Sequence, residues 1–294
     1  MKCIDDLYRK AAKSSAGTVC VACAEDAHVL MAVESARNIA SFILVGDDKK
    51  IRQIAEDVGA DISDATILHE PDPALACKTA VDQVAKGKAQ ALMKGQIDTS
   101  VIMKAVLDKE AGMRTGRKLS HLAVFELPTY HKLLFVTDAA INIAPDVSVL
   151  SEIIQNAVYA VTALGIKTPK IALLAAKEKP DPKMPVTETA ARLTAMFKNG
   201  EITNCILDGP LALDNAINRE SLAVKGIDSP VGGDADILVC PNIESGNILY
   251  KSLAFLAGAK NGGVVLGAKR PIIMTSRADS AESKLIAIAM GILS

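Results

Sequence analysis

Along roughly the first hundred residues, short apolar runs alternate with longer stretches whose apolar positions recur every three or four residues. The runs Thr18–Ala24, Phe42–Gly46, Thr66–His69 and Gln90–Met93 read as strands. His28–Asn38, Asp48–Val58, Pro73–Lys86 and Thr99–Lys109 read as helices. The strands are apolar at nearly every position, so neither face meets water. That pattern predicts parallel strands covered by helices on both sides, an α/β fold.

The pattern breaks near Gly112-Met-Arg-Thr-Gly116. Leu119–Leu127 and Lys132–Thr137, joined by Pro128-Thr-Tyr-His131, predict an antiparallel hairpin. Strand and helix units resume with a helix at Val147–Leu164, a strand at Lys170–Ala176 and a helix at Val186–Lys198. Strands at Asn204–Leu207 and Asp236–Cys240 and a helix at Asn247–Lys260 follow. Pro271–Ile292 again reads as one strand and one helix and fits the first sheet. The expected architecture is two α/β domains with mainly parallel sheets around a central cleft. Residues 1–115 with 265–294 form one domain, and the inserted 116–264 forms the other. Ligands of such folds gather where strands end, at clefts between domains.

A chain of 294 residues buries enough apolar surface to need no covalent staple. Its net charge is −1 and only 3% of its residues are aromatic, which argues against nucleic acid as a partner. No apolar stretch approaches the ~20 residues that cross a bilayer, so no membrane partner is expected. The N-terminal Met1–Lys10 reads as a charged amphipathic helix rather than a signal peptide, which predicts a cytoplasmic protein. The six cysteines are scattered, and Cys20 and Cys23 fall on one predicted strand, pointing to opposite faces. They are read as buried, reduced thiols.

Several strand ends carry polar clusters. Lys94-Gly95 precedes a helix capped by Asp98 or Thr99, a cation beside a backbone that can approach a ligand closely. Asp138, Asn142 and Asp146 share one loop, Asp208 begins the turn that runs to Asn215, and Asn247 and Lys251 lie just past another strand. The last cluster, Ser276-Arg277, sits where a strand hands over to a helix, with Asp279 as a cap and Glu282 three residues on. A fixed guanidinium near free N–H groups suits a phosphate, and a hydroxyl suits a developing oxyanion. No G-x-G-x-x-G follows a strand, no P-loop occurs and no spacing suggests zinc.

Six ordered blocks carry a resemblance: Met93–Thr99, Gly112–His121, Val136–Asp146, Asp208–Asn215, Gly246–Lys251 and Thr275–Ser280. Together they resemble the phosphate acetyl/butyryltransferase family, closest to its butyryl branch. The resemblance implies the reaction acyl-CoA + phosphate ⇌ acyl phosphate + CoA. It also implies a scaffold related to isocitrate and isopropylmalate dehydrogenases, usually as a homodimer. Coenzyme A is then a substrate, and no cofactor or metal is expected. Ser276 and Arg277 take the places of the family's Ser-Arg pair. The second phosphate cation is Lys104, with Arg114 and Lys94 as alternatives. Lys94, Gly95, Thr99, Lys104, Arg114, Asp138, Asn142, Asp208, Asn247 and Lys251 are the substrate-binding candidates. Acetyl-type members carry an aspartate base where this chain has Ser283, a departure that leaves Asp279 and Glu282 as the nearest carboxylates.

Overall fold

The computed structural model describes residues 1–14, 17–275 and 279–294. They fall into two units: Ile4–Arg117 with Asn261–Ser294, and Met1–Cys3 with Lys118–Lys260. The first unit opens with α1 (Ile4–Lys13), β1 (Gly17–Ala22), α2 (Ala27–Ser35), β2 (Ala40–Gly46) and α3 (Asp48–Val58). It continues through β3 (Thr66–His69), α4 (Pro73–Ala85), β4 (Ala91–Lys94) and α5 (Thr99–Val106). The second unit comprises β5 (Ser120–Glu126), β6 (Leu134–Thr137), α6 (Val147–Ala163), β7 (Lys170–Leu174), α7 (Pro185–Lys198) and β8 (Ile206–Leu211). After these come α8 (Leu213–Ile217), α9 (Arg219–Lys225), β9 (Ile237–Val239) and α10 (Ile243–Lys251). The chain then supplies the first unit with β10 (Lys260–Leu266), β11 (Ile272–Ile273) and α11 (Ala281–Leu293).

In the first unit the strand order is β3-β2-β1-β4-β11-β10. Every pairing is parallel except β10 with β11. The local chemistry of each helix start is plain. Asp47 caps α3 by accepting from the amides of Lys49 and Lys50, and Asp72 caps α4, whose first residue is Pro73. Gly59, at φ 68°, ends α3 in the left-handed conformation that a side chain would resist. α11 packs on α1, α2 and β1 and is buried at Ile286 through Gly291.

In the second unit the order is β5-β6-β9-β7-β8, with β5 antiparallel to β6 and the other pairs parallel. Phe125, Leu134, Val136, Leu211 and Leu238 form its core. A phenylalanine buried as fully as Phe125 contributes about 1.5–3 kcal/mol. At the start of β9 lies a charge network. Asp234 takes Lys170 Nζ at 2.7 Å, Lys132 Nζ at 3.0 Å and His131 Nε2 at 2.8 Å, while Asp236 takes Lys132 at 2.7 Å. Burial pushes the Asp234 carboxyl upward, but its hydrogen bonds from Lys170, Lys132 and His131 and the charge of Lys132 outweigh it and hold the group well below the usual carboxylate range.

The α/β class, the parallel β1–β4 sheet and the β5–β6 hairpin are as the hydrophobic pattern predicts. Several expectations change. The strand expected at Asn204–Leu207 is Ile206–Leu211, so Asp208 lies within it and does not begin a turn, and the helices α8 and α9 follow where none was expected. The helix expected at Asn247–Lys260 begins earlier, at Ile243, and gives way to a π-helical segment at Ser252–Leu256. Lys260–Leu266, assigned no strand from the sequence, is β10. The cap of the last helix is Ser280, whose Oγ accepts the Ser283 amide at 3.0 Å, and not Asp279.

Candidate active site

β4 ends at Lys94, which is only 8% exposed. Its Nζ donates to the carbonyls of Gly95 and Ile97, both at 3.1 Å. Those two carbonyls hold the ammonium against the turn. Gly95 has no substitute here: a Cβ would lie 2.0 Å from the Cys23 carbonyl oxygen. The same carbonyl accepts the Gln96 amide at 2.8 Å, so the turn after β4 sits directly on the end of β1. Asp98 takes the N-cap position of α5 with extended backbone and without a side-chain cap bond, and Thr99 is the exposed first residue of the helix.

Lys104 is exposed in the last turn of α5. Arg114 is exposed on a short antiparallel bridge to Ala268, secured by Lys269 N to Met113 O at 2.8 Å. The bridge joins the two points at which the chain leaves and re-enters this unit.

β11 is parallel to β4, with Ile273 opposite Met93, so its chain emerges at the end of the sheet where Lys94 lies. Thr275 there is buried. Ser276 and Arg277 lie outside the described residues. Asp279 lies two residues before α11, and Glu282 is exposed in the first turn of that helix. Ser280 does the capping, so the expectation that Asp279 is held as the cap, which favoured Glu282 as the base, loses its ground, and both stay candidates.

One residue that the sequence pattern did not single out stands close by. Lys284 is 2% exposed, and its Nζ donates to the Asp279 carbonyl at 2.7 Å. Burial lowers its pKa, opposed by the charges of Asp279 and Asp26. The available signal was a lysine inside an otherwise apolar helix.

The second unit gathers its own polar group at the end of β6. Asp138, 3% exposed, accepts Ala140 N at 2.9 Å and Ile141 N at 3.0 Å on Oδ1. Its Oδ2 accepts Asn142 N at 3.3 Å and Asn142 Nδ2 at 2.6 Å. Asn142 Nδ2 also reaches the Leu119 carbonyl at 2.8 Å. The carboxylate thus folds its own loop around itself. α10 docks on that loop through Gly246, where a Cβ would lie 2.2 Å from Asp138 O, and Asn247 Nδ2 donates to Ala139 O at 3.2 Å.

Asp138, Asn142 and Asn247 therefore form one cluster. Asp208 is engaged elsewhere, taking Ser229 Oγ at 2.6 Å in the segment that precedes β9. Asp146, the second carboxylate of the predicted loop, caps α6. Lys251, in the last turn of α10, lies 6.0 Å from the centroid of the exposed Phe255 ring.

Chemically, the first unit offers a buried ammonium at the end of β4, exposed cations at Lys104 and Arg114, and carboxylates at the start of α11. The second offers a preformed loop with amide and carbonyl groups. Comparison with known proteins adds a chemical class. The family model described as phosphate acetyl/butaryl transferase matches residues 74–292. A probable phosphate butyryltransferase of Bacillus subtilis (strain 168) is 47% identical over 291 residues, covering 98% of this chain and 97% of that protein. A phosphate acetyltransferase of Thermotoga maritima is 41% identical over 281 residues, covering 95% of each. The crystal structure of a branched-chain phosphotransacylase from Enterococcus faecalis V583 superposes with a TM-score of 0.83 at 38% identity, covering 93% of this chain and 97% of that one.

Proposed function

Because the chain belongs to the phosphate acetyl/butyryltransferase family, we propose that it moves a short acyl group between coenzyme A and inorganic phosphate. The observation that carries this reading is similarity along nearly the whole chain to phosphate acyltransferases, with Lys94 fixed as a buried cation at a strand end. In one direction phosphate attacks the thioester carbonyl and CoA leaves as a thiolate. In the other, the CoA thiol loses its proton and attacks the acyl phosphate. A free thiol has a pKa of about 8.5, so a nearby base speeds the second direction.

Arg277 holds phosphate by a two-pronged contact as nucleophile and as leaving group, and Ser276 donates to the tetrahedral oxyanion. Lys94, Lys104 and Arg114 are the further candidate cations. Asp279 or Glu282 takes the thiol proton directly or through water. Gly95 and Thr99 shape the turn beside Lys94. Asp138 positions Asn142 and Asn247 for substrate, with Asp208 and Lys251 as additional contacts to it. Side chains supply every cation in this scheme, so no cofactor beyond coenzyme A as substrate is invoked. The protein is proposed to work in the cytoplasm as a homodimer, without nucleic-acid or membrane partners.

The acyl group is proposed to be butyryl or a branched analogue, since Ser283 replaces the aspartate expected of acetyl-type members. Acetyl is the alternative, supported by the Thermotoga maritima relative. Initial rates of thiol release from acetyl-, butyryl- and isobutyryl-CoA with phosphate test both parts. A pocket shaped for four carbons should favour butyryl or isobutyryl by about 10-fold or more in kcat/KM, since each methylene is worth ~1–3 kcal/mol. No phosphate-dependent thiol release with any of the three would overturn the activity. A preference for acetyl-CoA would overturn the chain-length assignment.

A further inference from the structure

Two cysteines 54 positions apart meet beneath the turn that carries Lys94. Cys23 follows β1 with a φ of 55° and is 4% exposed. Its Sγ donates to the Pro73 carbonyl at 3.5 Å. Pro73 opens α4, and helical geometry directs that carbonyl to the amide four residues on, at Cys77. Cys77 is fully buried in the same first turns, so the Cys23 thiol rests on the carbonyl that faces the Cys77 amide, and the two thiols are close enough to influence each other.

Their surroundings differ. The neighbouring Cys23 thiol and the charge of Lys94 favour the thiolate of Cys77, against its burial. Cys23 keeps its proton, held by the neighbouring Cys77, by burial and by the charges of Glu25 and Asp72. Cys20, in mid-strand, is pushed up to about 12 by burial alone. Above the pair, the Cys23 carbonyl accepts the Gln96 amide, with Gly95 pressed against it.

We propose that Cys23 and Cys77 are a peroxide-sensitive thiol pair whose oxidation to a disulfide reversibly displaces the Lys94–Ile97 turn. The Cys77 thiolate attacks one oxygen of hydrogen peroxide, forming a sulfenic acid and releasing hydroxide. The Cys23 sulfur then attacks Cys77 Sγ, the S–S bond forms and the sulfenic oxygen leaves, taking up the Cys23 proton. Two thiols give up two electrons and two protons, and one peroxide becomes two waters. Peroxide is nearly as small as water, and the pair lies under the exposed Asp72–Pro73 helix start. Drawing Cys23 toward Cys77 moves the carbonyl on which the turn rests. The effect on turnover rests on the acyl-transfer reading above; the bridge itself does not.

The test treats the native full chain with hydrogen peroxide, blocks remaining thiols with iodoacetamide and maps peptides by non-reducing mass spectrometry. The expected result is a Cys23–Cys77 cross-linked peptide that dithiothreitol removes, formed equally in Cys20→Ser and absent from Cys23→Ser. Wild-type turnover should fall about 10-fold or more on oxidation and recover with dithiothreitol, while Cys23→Ser shows no dithiothreitol-reversible loss. Bridging to another cysteine, Cys77 oxidised without a bridge, or no thiol lost would each overturn the pair. A Cys23–Cys77 bridge with unchanged turnover would overturn the switch. A protein inactive before oxidation would refute the acyl-transfer reading, while the peptide map would still decide the pair.

Discussion

The polar turn after β4 buries a lysine ammonium and hydrogen-bonds it to two main-chain carbonyls. The loop after β6 buries a carboxylate and surrounds it with four N–H donors from its own chain. Both turns also rely on a glycine pressed against a neighbouring carbonyl, Gly95 on Cys23 and Gly246 on Asp138. Their electrostatics part there. The four donors satisfy Asp138, so its charge is spent on shaping the loop. Carbonyls of the turn hold Lys94 in place. Under the proposed function, phosphate falls to the first unit and positioning work to the second.

Lys94→Met is the severest challenge to that division. It should lower kcat/KM for phosphate by about 100-fold, ~2.7 kcal/mol. Unchanged phosphate kinetics in the folded variant would break the comparison. Arg277→Lys keeps a charge but loses the fork, and its turnover with phosphate should drop about 10-fold, ~1.4 kcal/mol. Wild-type kinetics in that variant would remove Arg277 from the site.

Asp138→Asn sharpens the other side. An amide cannot accept from all four donors, so stability should fall by about 1–3 kcal/mol. At roughly 2–4 °C per kcal/mol, calorimetry would resolve the change in Tm. Turnover of the folded variant should fall less than that of Lys94→Met. An unchanged Tm with a larger loss of turnover would place Asp138 in the chemistry and reverse the comparison.

The smallest effect lies away from both turns, at Asp234. Its folded pKa is held below the unfolded value, so the unfolded chain binds more protons as pH falls. Its stabilisation is complete above the ordinary carboxylate pKa near 3.9 and drains away as pH falls through that value toward the folded one. Between about pH 5 and about pH 3, wild-type Tm should therefore fall more steeply than that of Asp234→Asn. Parallel curves would show that the Lys132 and Lys170 pairs add nothing.

What the sequence revealed, and what it hid, follows from where each signal resides. β1 through β4 were legible because each is a short apolar run between helices with caps such as Asp47 and Asp72. β10 was hidden because Lys260-Asn-Gly-Gly263 reads as a turn. Gly262 is there because α11 lies against it, where a Cβ would come within 2.7 Å of Ile286 Cγ2. Asp279 and Ser280 are both competent caps one residue apart, and pattern alone did not separate them. The turn at Lys94 and the loop at Asp138 were legible as polar strand ends. Lys284 was not, because periodicity places a lysine on a wet face and α11 has little of one. The Cys23–Cys77 pair was invisible for another reason: only folding brings β1 and α4 together.

The first unit is made of two stretches of chain separated by Lys118–Lys260, all but three residues of the second. During synthesis, β1 through β4 emerge first but lack β11, β10 and α11, so the flank of β4 and the surface that α11 covers stay open. The second unit has all but three of its residues in one run and can close while its host is still waiting. Nascent chains arrested beyond residue 260, with that run clear of the ribosome, should thus yield a protease-resistant core from Lys118–Lys260 and rapid cleavage within Ile4–Arg117.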